Sequence, residues 1–168
     1  TTAEPRDLEP IRSILTPEQM KLFAGMQPSA QVHAMSVYRQ LVAQGDTTPD
    51  LLVAALLHDV GKSLSPLRLW ERVLIVLARA VFPAQARRWG RVGAGLGPAP
   101  THNRFCLFRR AFVVAEQHPA WGASLAVKAG ASPRTVALIR LHQEPASTVE
   151  QGEIVSLLSK LQAVDDHN

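Results

Sequence analysis

The chain has 168 residues, a length that fits one domain able to bury most of the surface its unfolded state exposes. Hydrophobic residues make up 46% and aromatics only 5%, a balance that favours helices over strands, and the single cysteine, Cys106, excludes an internal disulfide. Formal net charge is +4, and residues 1–10 hold the acids Glu4, Asp7 and Glu9 and no apolar core, so neither a signal nor a transit peptide is read there and a reducing, cytoplasmic setting is the expectation.

Helix punctuation recurs along the chain. Thr16-Pro17-Glu18-Gln19 sets an N-cap, a first-turn proline and a capping-box glutamine ahead of Met20, Leu22 and Phe23, which predicts a short helix. Ser29 is read as the cap of the next, where His33, Val37 and Leu41 fall on one line beside Ala34, Tyr38 and Val42 and Gly45 closes the helix. Thr48-Pro49-Asp50 repeats the cap signature, and Leu51 to Val60 is apolar nearly all round, which marks a central, buried helix ending at Gly61. Ser132-Pro133 opens another helix through Leu138 and Leu141, and Ile154 to Val164 forms the last. No period-two strand intervenes, so the expected fold is an all-α bundle without internal repeat.

The middle of the chain differs in charge. Between Pro66 and Arg110 stand nine arginines against one acid, Glu71. Leu67 to Phe82 reads as an amphipathic helix, Gly90 to Pro100 as a glycine-proline loop, and Phe105 to Ala115 as a second apolar helix. Arg72 and Arg79 interrupt the first run too often for it to span a bilayer. Three roles remain open for this insert: a helical pair with a solvated basic face, a lid that supplies arginines to a phosphate-bearing substrate, and attachment to an anionic membrane through Trp70, Leu74 and Leu77. No nucleic-acid-binding motif accompanies the charge.

His33, the adjacent pair His58-Asp59, His118, His142 and Asp165 are residue types that bind Zn, Fe, Mn, Co or Ni, and a carboxylate beside a histidine can bridge two ions. His102 and His167 are assigned no such role. Ala54 to Lys62, A-A-L-L-H-D-V-G-K, resembles the signature of the HD-domain superfamily of metal-dependent phosphohydrolases, and the resemblance extends from about Ser29 to the C-terminus, with the basic insert as its least typical part. It implies an HD-domain helical bundle filling residues 1–168, with the HD-like core at 29–168, the insert or lid at 66–110 and an N-terminal extension at 1–28. It also implies ligand roles. One ion falls to His33, His58, Asp59 and Asp165, and a second, bridged by Asp59, to His118 and His142. His118 lies in E-Q-H-P-A-W-G-A, similar to the H-P-x-x-G context of two-ion members. Asp165 is preferred to Asp166 because it follows the apolar Val164.

Two such ions lower the pKa of a shared water, hold it in line with phosphorus and neutralise phosphoryl charge, so the expected activity is hydrolysis of a phosphoester or phosphoanhydride. Asp59 and Lys62 are the candidate catalytic residues, Lys62 through an ammonium on a phosphate oxygen or near the leaving group; the alternative for Lys62 is a surface lysine after a helix end. Arg104, Arg109 and Arg110 are candidate phosphate clamps. The ligand order is similar to that of the bacterial enzymes that cleave diadenosine tetraphosphate symmetrically and of the HD-GYP phosphodiesterases. Leu141-His142-Gln143-Glu144-Pro145 departs from the H-H-E of the latter, and no G-Y-P element is present. The guanosine tetraphosphate hydrolases use a one-ion pattern, which His118 and His142 exceed. A nucleotide or dinucleoside polyphosphate is the expected substrate. A non-catalytic HD-fold signalling module and a membrane-peripheral HD hydrolase are the alternatives.

Overall fold

Proline opens most of the helices, because its fixed φ and missing N–H suit the first helical position. A computed structural model describes residues 8–91, 104–149 and 152–166, with backbone alone for 91 and 104–108. Among the described residues all regular structure is helical, as the all-α reading expected. The helices are α1 (Glu9–Arg12), α2 (Pro17–Ala24), α3 (Pro28–Ala43), α4 (Pro49–Leu57), α5 (Leu69–Val81), α6 (Pro83–Arg91), α7 (Arg104–Lys128), α8 (Pro133–Leu141) and α9 (Gly152–Asp165), with 3-10 turns at Val60–Leu64 and Ala146–Thr148.

The capping box of α2 forms in both directions: Gln19 N–H donates to Thr16 Oγ1 at 3.3 Å and Thr16 N–H to Gln19 Oε1 at 3.1 Å. Ser132 caps α8 by accepting from Thr135 N–H at 3.0 Å. Gly45, at φ 85°, ends α3 in a Schellman motif: Asp46 N–H reaches Leu41 O and Gly45 N–H reaches Val42 O. Two expected caps differ. Gln27, not Ser29, precedes α3, since Pro28 takes the first helical position, and the Ser29 hydroxyl instead accepts from Arg72. The Thr48 side chain caps nothing, while Asp50 accepts from the hydroxyls of Ser132 and Thr135, fastening the starts of α4 and α8 together.

Every residue from Leu51 to Gly61 is buried, so α4 is the centre of the bundle. It packs against α3 and α8 and also meets α2 and α9. Leu157, Leu158, Leu161 and Val164 complete the core from α9, and Ile11, Leu15, Phe23 and Met26 close it from the N-terminal segment. That segment, read as an extension, is therefore part of the main core. Burying each such side chain stabilises by about 1.5–3 kcal/mol.

The insert builds a second, smaller core in which Ile75 and Ala86 meet Ala111, Phe112 and Ala115, and Trp89 stands edge-on to Phe112 at 5.1 Å. Helix α6 was not foreseen: Pro83 starts it and Ala, Gln and Arg sustain it, but it offers too few apolar positions to show a period. Gly90, read as the start of a loop, lies inside α6, packed so that a Cβ would stand 2.6 Å from Phe112 O. Arg91 ends the same helix; residues 92–100 of that loop, His102, His167 and the Arg104 side chain lie outside the described residues. Helix α7 also runs on past its expected end at Ala115, through Pro119 to Lys128. Among the described residues no helix is long and apolar enough to cross a membrane.

Candidate metal centre

The ends of three helices and the middles of two others meet at one point. His58 is the C-cap of α4, His142 the C-cap of α8 and Asp165 the last residue of α9, while His33 projects from α3 and His118 from α7. Asp59, at φ −94° and ψ 2°, turns the chain from α4 into the 3-10 turn that carries Lys62.

Three of the imidazoles are fixed by their own helices. His58 Nδ1–H donates to Ala55 O at 2.9 Å and His142 Nδ1–H to Ile139 O at 2.8 Å, while His118 Nδ1–H is shared between Val114 O and Ala115 O, each at 3.1 Å. A carbonyl can only accept, so these bonds place a proton on Nδ1 and leave Nε2 to face the interior, as a metal-ligating histidine requires. Pro119 contributes to this arrangement. Lacking an N–H, it leaves Ala115 O without its helical partner, and that oxygen takes up the His118 ring and, at 3.4 Å, Arg79 Nη2. From α9, Gln162 Nε2 donates to His142 O at 2.9 Å and to Glu144 O at 2.6 Å, pinning the turn behind His142.

The donor atoms fall into two triads, His33–His58–Asp165 and Asp59–His118–His142, and each can hold a metal ion. In the first, Asp165 Oδ1 is 2.8 Å from His33 Nε2 and 3.4 Å from His58 Nε2. In the second, Asp59 Oδ1 is 3.4 Å from His118 Nε2 and 3.9 Å from His142 Nε2, and the two imidazole nitrogens are 3.3 Å apart. Asp59 joins the triads, because its Oδ2 lies 3.8 Å from His58 Nε2. His58 Nε2 is buried with no hydrogen-bond partner. Such an orphaned atom is costly unless it ligates, and its place among carboxylates and imidazoles fits a transition-metal ion.

Electrostatics agree with that fit. Burial, with the neighbouring His58 and His118, pushes His142 down to about 3. Burial also lowers His118 against the pull of Asp59, so both are neutral at neutral pH, the form in which an imidazole can ligate. Burial would depress His58 as well, but the carboxylates of Asp59 and Asp165 outweigh it and raise its pKa, a sign that the pocket's field favours a cation. Both aspartates stay ionised: burial opposes it, but His58 and His118 hold Asp59 well below the ordinary carboxylate range, and His33 and His58 do the same for Asp165.

The six residues expected as ligands thus converge, and the adjacent Asp166 is exposed and in neither triad. Lys62 donates from Nζ to Asp59 Oδ2 at 2.6 Å with its side chain 38% exposed, so it touches the site and the solvent together. The arginines are distributed otherwise than expected. Arg110 is held by Glu71 Oε1 at 2.6 Å and Pro66 O at 2.8 Å, and neither it nor Arg109 lines the opening. A cleft of about 330 Å³ leads to His33, Asp59 and His118 between Lys62 on one side and Arg72 and Arg79 of α5 on the other. A second opening, reaching His142 and Asp165, is bordered by Arg79, Arg87 and Arg140. Arg72 and Arg79, seven apart on the polar edge of α5, were legible as one stripe but were read as interruptions of an apolar run.

Comparison of the chain with protein-family models, with curated proteins and with solved structures finds no match.

Proposed function

We propose that the chain is a metal-dependent phosphohydrolase of the HD-domain type, acting on a phosphoester or phosphoanhydride of a nucleotide-like substrate. One observation carries this reading: two His/Asp triads, His33–His58–Asp165 and the fully buried Asp59–His118–His142, adjoin where Asp59 Oδ2 lies 3.8 Å from His58 Nε2, beside a cleft walled by Lys62, Arg72 and Arg79. The first ion would be held by His33, His58 and Asp165, the second by His118 and His142, with Asp59 offering one oxygen to each side. Bound there, divalent transition ions would supply Lewis acidity toward phosphoryl oxygens and acidify water.

The chain's own groups account for the remaining parts of the task. Nδ1 bonds to helix carbonyls fix the ring orientation of His58, His118 and His142 before any ligand arrives, so little reorganisation is left for the reaction. Lys62 holds Asp59 Oδ2 and presents its ammonium to the cleft, where it can meet a phosphoryl oxygen or a leaving oxygen. Arg72 and Arg79 offer planar donors at the opposite wall, suited to bidentate contact with phosphate. Leu67, Ile75 and Val76 give that wall an apolar stretch against which a base can lie, and the cleft volume is within the range of small-ligand sites.

The test is elemental analysis of protein purified without chelator, in parallel for wild type and His118→Ala, followed by a screen of nucleotides with release of phosphate or mononucleotide as the readout. The expected result is about two ions per chain, about one in the variant, and hydrolysis by the wild type alone. No metal retained, and none taken up from Mn, Fe, Co or Ni, would overturn the proposal.

A further inference from the structure

Helix α5 has three faces, and the cleft and the second core account for two of them. Ile75, Leu74 and Ala78 pack on α6 and α7, and Arg72 and Arg79 border the cleft. The third face is apolar and open: Leu69, Trp70, Val73, Leu77 and Val81 follow the three- and four-residue spacing of a helical stripe, and Leu69 is 79%, Val81 64% and Leu77 58% exposed. Phe82, just past the helix, adds a further exposed ring. Seven of the eleven exposed large apolar side chains among the described residues fall within residues 69–82, so the stripe is a concentrated patch.

Its surroundings carry one sign of charge. Arg68, Arg72, Arg79, Arg87 and Arg88 are exposed along and beyond the stripe. The single acid between residues 66 and 91 is Glu71, which is buried and held by Arg110. An apolar face with a tryptophan, bordered by arginines and with no exposed acid in its own segment, is the form of a helix that lies in the plane of a bilayer interface. Pairing through α5 of a second copy would instead bring arginines against arginines.

We propose that the α5–α6 hairpin docks the protein on an anionic membrane surface, with Leu69, Trp70, Val73, Leu77 and Val81 entering the acyl boundary and the arginines meeting lipid phosphates. Docking requires neither metal nor turnover, so it stands or falls apart from the hydrolase reading. It also sets the cleft edge, which Arg72 and Arg79 share with the stripe, next to the lipid headgroups.

The experiment is cosedimentation of the full chain with vesicles of phosphatidylcholine alone and of phosphatidylcholine containing about a third phosphatidylserine, at low and at physiological salt. Wild type is expected to pellet with the anionic vesicles, more weakly as salt rises, and not with the neutral ones. Val73→Glu/Leu77→Glu, at exposed positions, should weaken binding by about tenfold or more, and Arg87→Gln/Arg88→Gln severalfold, both with unchanged thermal melts. No binding to anionic vesicles at low salt, or equal binding by Val73→Glu/Leu77→Glu, would overturn the proposal. So would a wild-type dimer in analytical ultracentrifugation that Val73→Glu/Leu77→Glu makes monomeric, since the stripe would then belong to a second copy.

Discussion

Gly61 lies against the carbonyl of His118 so closely that a Cβ on it would overlap that oxygen and stand 2.7 Å from the Gly122 nitrogen. Two segments that carry candidate ligands, the Asp59 turn and the middle of α7, are thus held backbone to backbone. Gly61→Ala should force them apart, at a cost of about 1–3 kcal/mol or more, and a chain of this size loses about 2–4 °C of Tm for each kcal/mol. Metal retention should fall with it, because Asp59 and His118 belong to one triad. Gly122→Ala is the control. Its Cβ would meet Gly61 N and Ile139 Cγ2 at 3.2 Å, so a small adjustment suffices and the loss should be clearly less. Thermal melts with and without chelator, paired with elemental analysis, separate the two effects; equal behaviour of the two variants would contradict the account.

Lys62 and Asp59 form the pair that joins metal site and cleft. Lys62→Ala should keep the metal complement, since no triad contains Lys62, while, on the proposed hydrolase reading, kcat falls by about 10- to 100-fold through loss of one charge-assisted contact to a phosphoryl group. Lys62→Arg should restore part of it. Unchanged kcat in Lys62→Ala would make the lysine a surface residue.

A pH dependence arises away from the centre. Asp46 accepts from Lys160 Nζ at 2.7 Å, and that bond, against a small opposing effect of burial and with help from Thr48, lowers the Asp46 pKa. The folded state therefore binds this proton less readily than the unfolded chain. The pair's stabilisation is fully present above about pH 4 and is lost as pH falls through the lower folded pKa. Lys160 is half exposed, so the contribution is about 0.5 kcal/mol. Asp46→Asn should melt about 1–2 °C below wild type at pH 7, with the gap narrowing as pH falls below about 4. A gap that persists in acid would assign the effect to packing.

How far the sequence reveals the site depends on the distance over which each residue acts. The capping box at Thr16, the buried run of α4 and the glycine stop at Gly45 act within a few residues and stand where they are expected, except that α4 stops at Leu57, short of the expected end at Gly61, and a 3-10 turn over Val60–Leu64 follows. The six candidate ligands were found by spacing and resemblance, and their convergence depends on pairings such as Asp50 with Ser132 that a linear reading cannot supply. Helix α7 was misjudged for a definite reason. Pro119 removes only one helical bond, and the freed Ala115 O is satisfied by the His118 ring, so the helix continues past its expected end at Ala115. Arg110, expected as a phosphate clamp, differs for a related one: it follows Arg109 directly, yet its partner is Glu71, 39 residues away.

That contrast between arginines leads to opposite expectations for two single substitutions. Arg110 carries the charge that balances Glu71, whose side chain is 1% exposed. Arg110→Gln leaves that carboxylate buried without its ion pair, at a cost of about 3 kcal/mol, and should lower Tm accordingly while, on the proposed hydrolase reading, leaving the KM for substrate unchanged. Arg79 is exposed, touches Ala115 O at the limit of a hydrogen bond and borders both openings of the metal centre. Arg79→Gln should hardly move Tm, while kcat/KM falls by about 10- to 100-fold, as expected for one lost charge-assisted contact to phosphate. Steady-state kinetics and melts on the two variants decide the matter: if Arg110→Gln alters KM and Arg79→Gln does not, the phosphate contact belongs to α7 and the role given to α5 is wrong.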